Sequence, residues 1–113
     1  MISVSIYTNA DDMITGFKLS GHALYSEYGN DIVCAAVSAL VINTINSIEK
    51  FTSDKFSLTE DENEGVIEFH MLSPISSSSN LLLSSLALGL EGIAQEYNNK
   101  TDKYLKIKQV KSR

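Results

Sequence analysis

Apolar and polar residues alternate along 2–8 (ISVSIYT) and again along 13–20 (MITGFKLS), the period of a half-buried strand. In the second run Ile14, Phe17 and Leu19 are the apolar positions, and Gly16 breaks the period. Asn9 to Asp12 are turn residues, so the two runs predict a hairpin. Residues 21–30 (GHALYSEYGN) follow neither period. Gly21 and Gly29 bracket them, which predicts a loop with permissive ends that act as hinges. From Asp31 the pattern changes to DIVCAAVSALVINTINSIEK, without Gly or Pro, and its length of about twenty residues predicts a helix with Asp31 as N-cap. Its apolar residues cover nearly the whole circumference, so it is expected to be buried on most sides. Residues 55–60 and 65–72 predict two more strands, joined by an acidic turn that reads as a solvated hairpin tip. The serine run 76–79 leads into a second helix over 80–97, with Ser79 or a neighbour as cap. Gly89 and Gly92 weaken that helix by ~1 kcal/mol each relative to Ala, which predicts close approach to another element. Residues 103–109 alternate once more as a final strand. The order β-β-α-β-β-α-β predicts an α+β layered fold: one five-stranded mixed sheet packed with two long helices, a single domain over 1–113.

Composition narrows the function classes. The hydrophobic share of 43% suits an ordinary globular core. No unbroken apolar run approaches the ~20 residues of a membrane span, and the first ten residues lack the basic and apolar segments of a secretory signal. A soluble, cytoplasmic protein with no membrane partner is expected. Fourteen acids against nine bases give a net charge of -5, which disfavours direct nucleic-acid binding and favours a basic peptide or protein.

There is one cysteine, Cys34, so no intramolecular disulfide is possible and a reducing compartment is implied. Cys34 is then a buried filler or a reactive thiol. If Asp31 caps the helix, Cys34 sits in its first turn, where the dipole and free N–H groups favour a thiolate and an oxyanion. Of the two histidines, His22 lies in the glycine-bracketed loop that feeds this helix, within reach of the thiol as a base. His70 falls on a strand beside polar Glu68 and is expected to face solvent. Asp31, Cys34 and Ser38 share one helical face at i, i+3 and i+7. Asp31 either orients His22 or simply caps. Ser38 either contacts substrate or bonds back to the preceding turn. One Cys and two scattered His fit no zinc spacing, so neither a metal nor another cofactor is expected.

Gly21-His22-Ala23, Glu27-Tyr28-Gly29, Asp31-Ile32-Val33-Cys34-Ala35-Ala36 and Ser38-Ala39 together resemble the signature of the ribosomal-processing cysteine protease family, Prp. The late segment Leu88-Gly89-Leu90-Glu91-Gly92-Ile93 with Tyr97 is similar too. The resemblance implies a homodimeric peptidase that removes a short N-terminal extension from large-subunit ribosomal protein L twenty-seven. It places the catalytic pair on His22 and Cys34 and the acidic residue on Asp31, with a loop that reorders around substrate. The rival functions are a non-catalytic ribosome-associated module and a structural dimer in which Cys34 only packs.

Overall fold

The computed structural model describes residues 1–21, 28–72 and 74–111, with 28–31 described by their backbone. The elements run β1 (Ile2–Thr8), β2 (Ile14–Ser20), α1 (Tyr28–Phe51), β3 (Phe56–Asp61), β4 (Val66–Met71), α2 (Ser77–Tyr97) and β5 (Leu105–Lys111). The strands form one sheet in the order β3-β4-β2-β1-β5. β5 runs parallel to β1, and the other neighbours are antiparallel, so the sheet is mixed as expected.

The β1–β2 turn is set by Asn9. Its side-chain oxygen accepts the N–H groups of Asp11 (2.9 Å) and Met13 (3.0 Å), and Asp12 takes φ 60 to close the turn. The broken period in β2 has a geometric cause. Tyr7 pairs with Gly16 and Thr8 with Ile14, so Thr15 is an extra residue. This bulge turns Phe17 and Leu19 inward together with Ile14, although their spacing is not even. Gly16 itself admits no side chain, because a Cβ there would lie 2.3 Å from the Phe69 carbonyl oxygen.

Two layers enclose the core. Ile2, Val4, Ile6, Phe17, Leu19, Phe69 and Leu105 cover one sheet face. Val33, Val37, Val41, Ile45 and Ile48 of α1 and Leu83, Leu86 and Leu90 of α2 meet them in one cluster. Each such buried side chain contributes about 1.5–3 kcal/mol. The other sheet face is polar, carrying Ser3, Ser5, Lys18, Ser20, Lys106 and Lys108. By length and composition alone, Ile32–Phe51 would pass for a membrane span, contrary to the expectation from unbroken apolar runs. Here its inner face belongs to the core. Its outer face exposes Ala35, Ala39, Asn43 and Asn46, so α1 is covered on fewer sides than its composition predicts.

Both helices start earlier than their sequence patterns indicate. α2 begins at Ser77 with Ser76 as the N-cap, its hydroxyl accepting the Ser79 N–H at 3.1 Å. Ser79 is inside the helix and is not the cap. Its own hydroxyl is buried without a partner among the described residues. The glycine expectation divides: a Cβ on Gly89 would meet Leu40 Cδ1 at 2.8 Å, whereas Gly92 faces open space. At the other end Asn98 ties α2 to β5. Its side-chain oxygen accepts the Tyr104 N–H (2.8 Å) and the Leu105 N–H (3.2 Å).

Candidate active site

A cleft of about 310 Å³ opens between the N-terminal half of α1 and the β3–β4 hairpin. Its floor is apolar, made by Ile2, Leu19, Val37, Val66 and Ile67. Cys34 and Ser38, one turn apart on α1, stand on one side. Glu60, Asp61 and Glu62 stand on the hairpin opposite, and Gly21 lies where β2 leaves the sheet. Cys34 is half-buried and packs against the core cluster while still lining the cleft. It is therefore neither a sealed filler nor a fully solvated thiol. A larger groove of about 680 Å³ runs between α2 and β5, but it carries no nucleophile.

Gly21 is required by its backbone. Its φ of +105 lies in the region that side chains disfavour, and a Cβ would come within 2.5 Å of the Met1 carbonyl oxygen. The next residue in the chain is His22, which lies outside the described residues. The other expected hinge, Gly29, is placed differently: it is the second residue of α1 and not the end of a loop.

The start of α1 also corrects the expected setting of the cysteine. The helix begins at Tyr28, so Asp31 is its fourth residue and not its cap, and Cys34 is its seventh. At 1.5 Å per residue, Cys34 lies about 9 Å along the axis from the helix start. The unpaired N–H groups belong to the first turn, and the dipole acts there. They are not arranged around Cys34, so the thiolate and oxyanion support expected from them is lost. Asp31 and Cys34 remain one turn apart, which leaves the orienting role as the reading of Asp31 compatible with its position.

For Ser38 the sequence leaves two readings, contact with substrate or a bond back to the preceding turn. Its hydroxyl makes no such bond among the described residues, whereas Thr44 and Thr52 do so at 2.8 Å to Leu40 and Ile48. Ser38 thus keeps a hydroxyl available on the cleft wall. His70 is engaged elsewhere: its Nε2 lies 3.0 Å from Glu68 Oε1, and its ring stacks on Tyr7 at 5.4 Å across Gly16. Among the described residues no group of three or more His, Cys, Asp or Glu is placed to hold a metal ion. Asp61 and Glu62 had been read only as part of a solvated tip, and Glu60 as the end of a strand. Their place beside the cleft follows from strand register, which leaves no mark in the local sequence.

The family model described as Cysteine protease Prp matches residues 1–102. The ribosomal processing cysteine protease Prp of Staphylococcus aureus is 34% identical over 98 residues, 87% of this chain and 92% of that protein. The protein of the same name from Bacillus subtilis is 30% identical over 103 residues, covering 88% and 92%. A crystal structure of the essential ribosomal processing protease Prp from S. aureus, in complex with a covalently linked product peptide, matches with a TM-score of 0.85 at 30% identity. It covers 97% of this chain and 100% of that one. With the same fold, an accessible cysteine on the cleft wall and a match over nearly its whole length, the chain belongs to the Prp family of ribosomal-processing cysteine proteases.

Proposed function

We propose that this cysteine protease removes a short N-terminal extension from large-subunit ribosomal protein L twenty-seven during ribosome maturation, with Cys34 as nucleophile and His22 as base. The observation that carries this is the cleft, in which the thiol of Cys34 borders an apolar floor open to an extended peptide. Gly21 lines the same cleft and directly precedes His22 in the chain, one residue from the cleft that holds the thiol. A relative of the same fold, solved in complex with a covalently linked product peptide, supports peptide chemistry on this fold.

His22 takes the proton from the Cys34 thiol, and the thiolate attacks the scissile carbonyl. Collapse of the tetrahedral intermediate breaks the peptide bond, and the imidazolium protonates the leaving amine. Water, with His22 again as base, then hydrolyses the thioester and frees the thiol. Because Cys34 stands well inside α1, its activation depends on His22 more than on the helix end. Asp31, one turn before Cys34, orients the imidazole, and Ser38 contacts the substrate backbone. Gly21 serves as the hinge from which the segment after β2 closes over the peptide.

The enzyme acts in the cytoplasm, where its ribosomal substrate is made. It acts as a homodimer, a state supported by the exposed outer helix faces, where Ile42 is 54%, Leu81 70% and Leu88 71% exposed.

The test is incubation of the full chain with extended and mature forms of the ribosomal protein. Wild type clips the extended form only. Cys34→Ala and His22→Ala each abolish clipping while the fold persists. Retained cleavage in either variant removes that residue from the mechanism.

A further inference from the structure

We infer that Glu60, Asp61 and Glu62 form a specificity wall in the Cys34 cleft, selecting peptides that carry Lys or Arg within a few residues of the cut while an apolar side chain rests on the floor. This deepens the proteolytic function and depends on it for the reaction that is selected.

Register places these acids. Asp61 pairs with Val66, Val66 pairs with Ser20, and Ile67 pairs with Leu19. The turn end of the β3–β4 hairpin is thereby held beside the end of β2, where the chain passes Gly21. Gly65, at φ 66, closes the hairpin at this point. All three residues therefore line the same cleft as the nucleophile, Glu60 in register with Ile67 and Leu19 of its floor.

Their surroundings leave their charge uncompensated. All three residues are exposed, and none forms an ion pair with Lys or Arg among the described residues. The one hydrogen bond there, from the Glu64 N–H to Asp61 Oδ1 at 3.1 Å, adds no positive charge. Lys18, Lys106 and Lys108 lie together on the opposite face of the sheet. The cleft thus combines an apolar floor with a rim of one sign, and a peptide pairing an apolar residue with nearby bases matches both. An extended strand advances about 3.3 Å per residue, so a long basic side chain a few residues from Cys34 can span to the rim. Exposed ion pairs are individually weak, up to about fivefold each, so two of them are expected to give about tenfold.

The experiment uses the full chain and peptides spanning the extension junction, with the basic residues kept, replaced by Gln, or replaced by Glu. At low salt wild type cleaves the basic peptide with about tenfold higher kcat/KM than the Gln peptide, and the ratio shrinks at high salt. The triple variant Glu60→Gln, Asp61→Asn, Glu62→Gln brings the ratio near one. The double variant Glu60→Lys, Glu62→Lys shifts preference to the Glu peptide. A ratio unmoved by the triple variant, or indifferent to salt, overturns the inference. A second arm measures binding of the same peptides to Cys34→Ala by fluorescence anisotropy. Equal binding of basic and Gln peptides there also overturns it. Failure of the proteolytic function would show differently, as no cleavage of any peptide by wild type, while the binding arm still reads the charge selection.

Discussion

The two helix starts of this molecule are built for different ends. α2 is sealed. Ser76 caps it with φ -75 and ψ 161, and both the Ser76 N–H (2.9 Å) and its hydroxyl donate to Asp54. Asp54 is tied in turn to the end of α1, its N–H donating to Thr52 Oγ1 at 3.2 Å. α1, by contrast, starts on Tyr28-Gly29-Asn30, of which Gly and Asn are weak helix formers. It carries its cysteine into an open cleft. One start is tied to the rest of the fold, and the other leads, about two turns on, to a thiol in a cleft. Cooperation between the two helices along Leu40 and Gly89 lets the first be supported by the second.

This contrast can be broken most sharply at Cys34. Cys34→Ala is expected to lower kcat by at least about 10³-fold, and His22→Ala by 10²–10⁴-fold, with thermal melting nearly unchanged in both. A large fall in melting temperature for Cys34→Ala would show that the thiol is there to pack. The mirror experiment is Ser76→Ala, expected to destabilise by about 1 kcal/mol and lower the melting temperature by roughly 4 °C, with turnover per folded molecule retained.

Acid sharpens the same point. The Ser76 hydroxyl above all, then the nearby Ser79 hydroxyl and the Ser76 N–H, hold the Asp54 carboxyl below the usual carboxylate range, against an opposing push from burial. A lowered value in the folded state means that the bond stabilises above the unfolded carboxylate pKa of ~3.9. That support is lost as pH falls through the lower folded value. Melting curves of wild type should therefore decline below about pH 4, and Asp54→Asn should start lower and decline less. The smallest expected effect is a gain. Gly92→Ala adds a methyl group in open space and should stabilise α2 by up to ~1 kcal/mol without altering turnover. Gly89→Ala should gain less, because Leu40 must move aside.

The strands and the two helices were legible because alternation and apolar runs report burial directly. The sequence pattern over 2–8 coincides with β1. What escaped was set by partners distant in the chain. The serine run offered four possible caps, and Ser76 is distinguished by Asp54, 22 residues away. The start of α1 was misplaced because Asp31 has the side chain of a cap and precedes a strong helical run. The weaker formers Gly29 and Asn30 are nonetheless helical, so tertiary context outweighs their propensity. The candidate site was half legible. Cys34 stood out as the lone thiol and His22 as the histidine of the loop that feeds its helix, whereas the place of Glu60, Asp61 and Glu62 beside the cleft depended on the pairing of β4 with β2.

The parallel pairing of β1 with β5 has a consequence for how the enzyme comes into being. Ile2, part of the cleft floor, sits opposite Leu105, more than a hundred positions away in sequence, and its N–H donates to the Tyr104 carbonyl at 2.9 Å. Such a contact closes late, because the intervening chain must be brought together first. The cleft floor is thereby anchored, through Ile2, to the last strand of the chain.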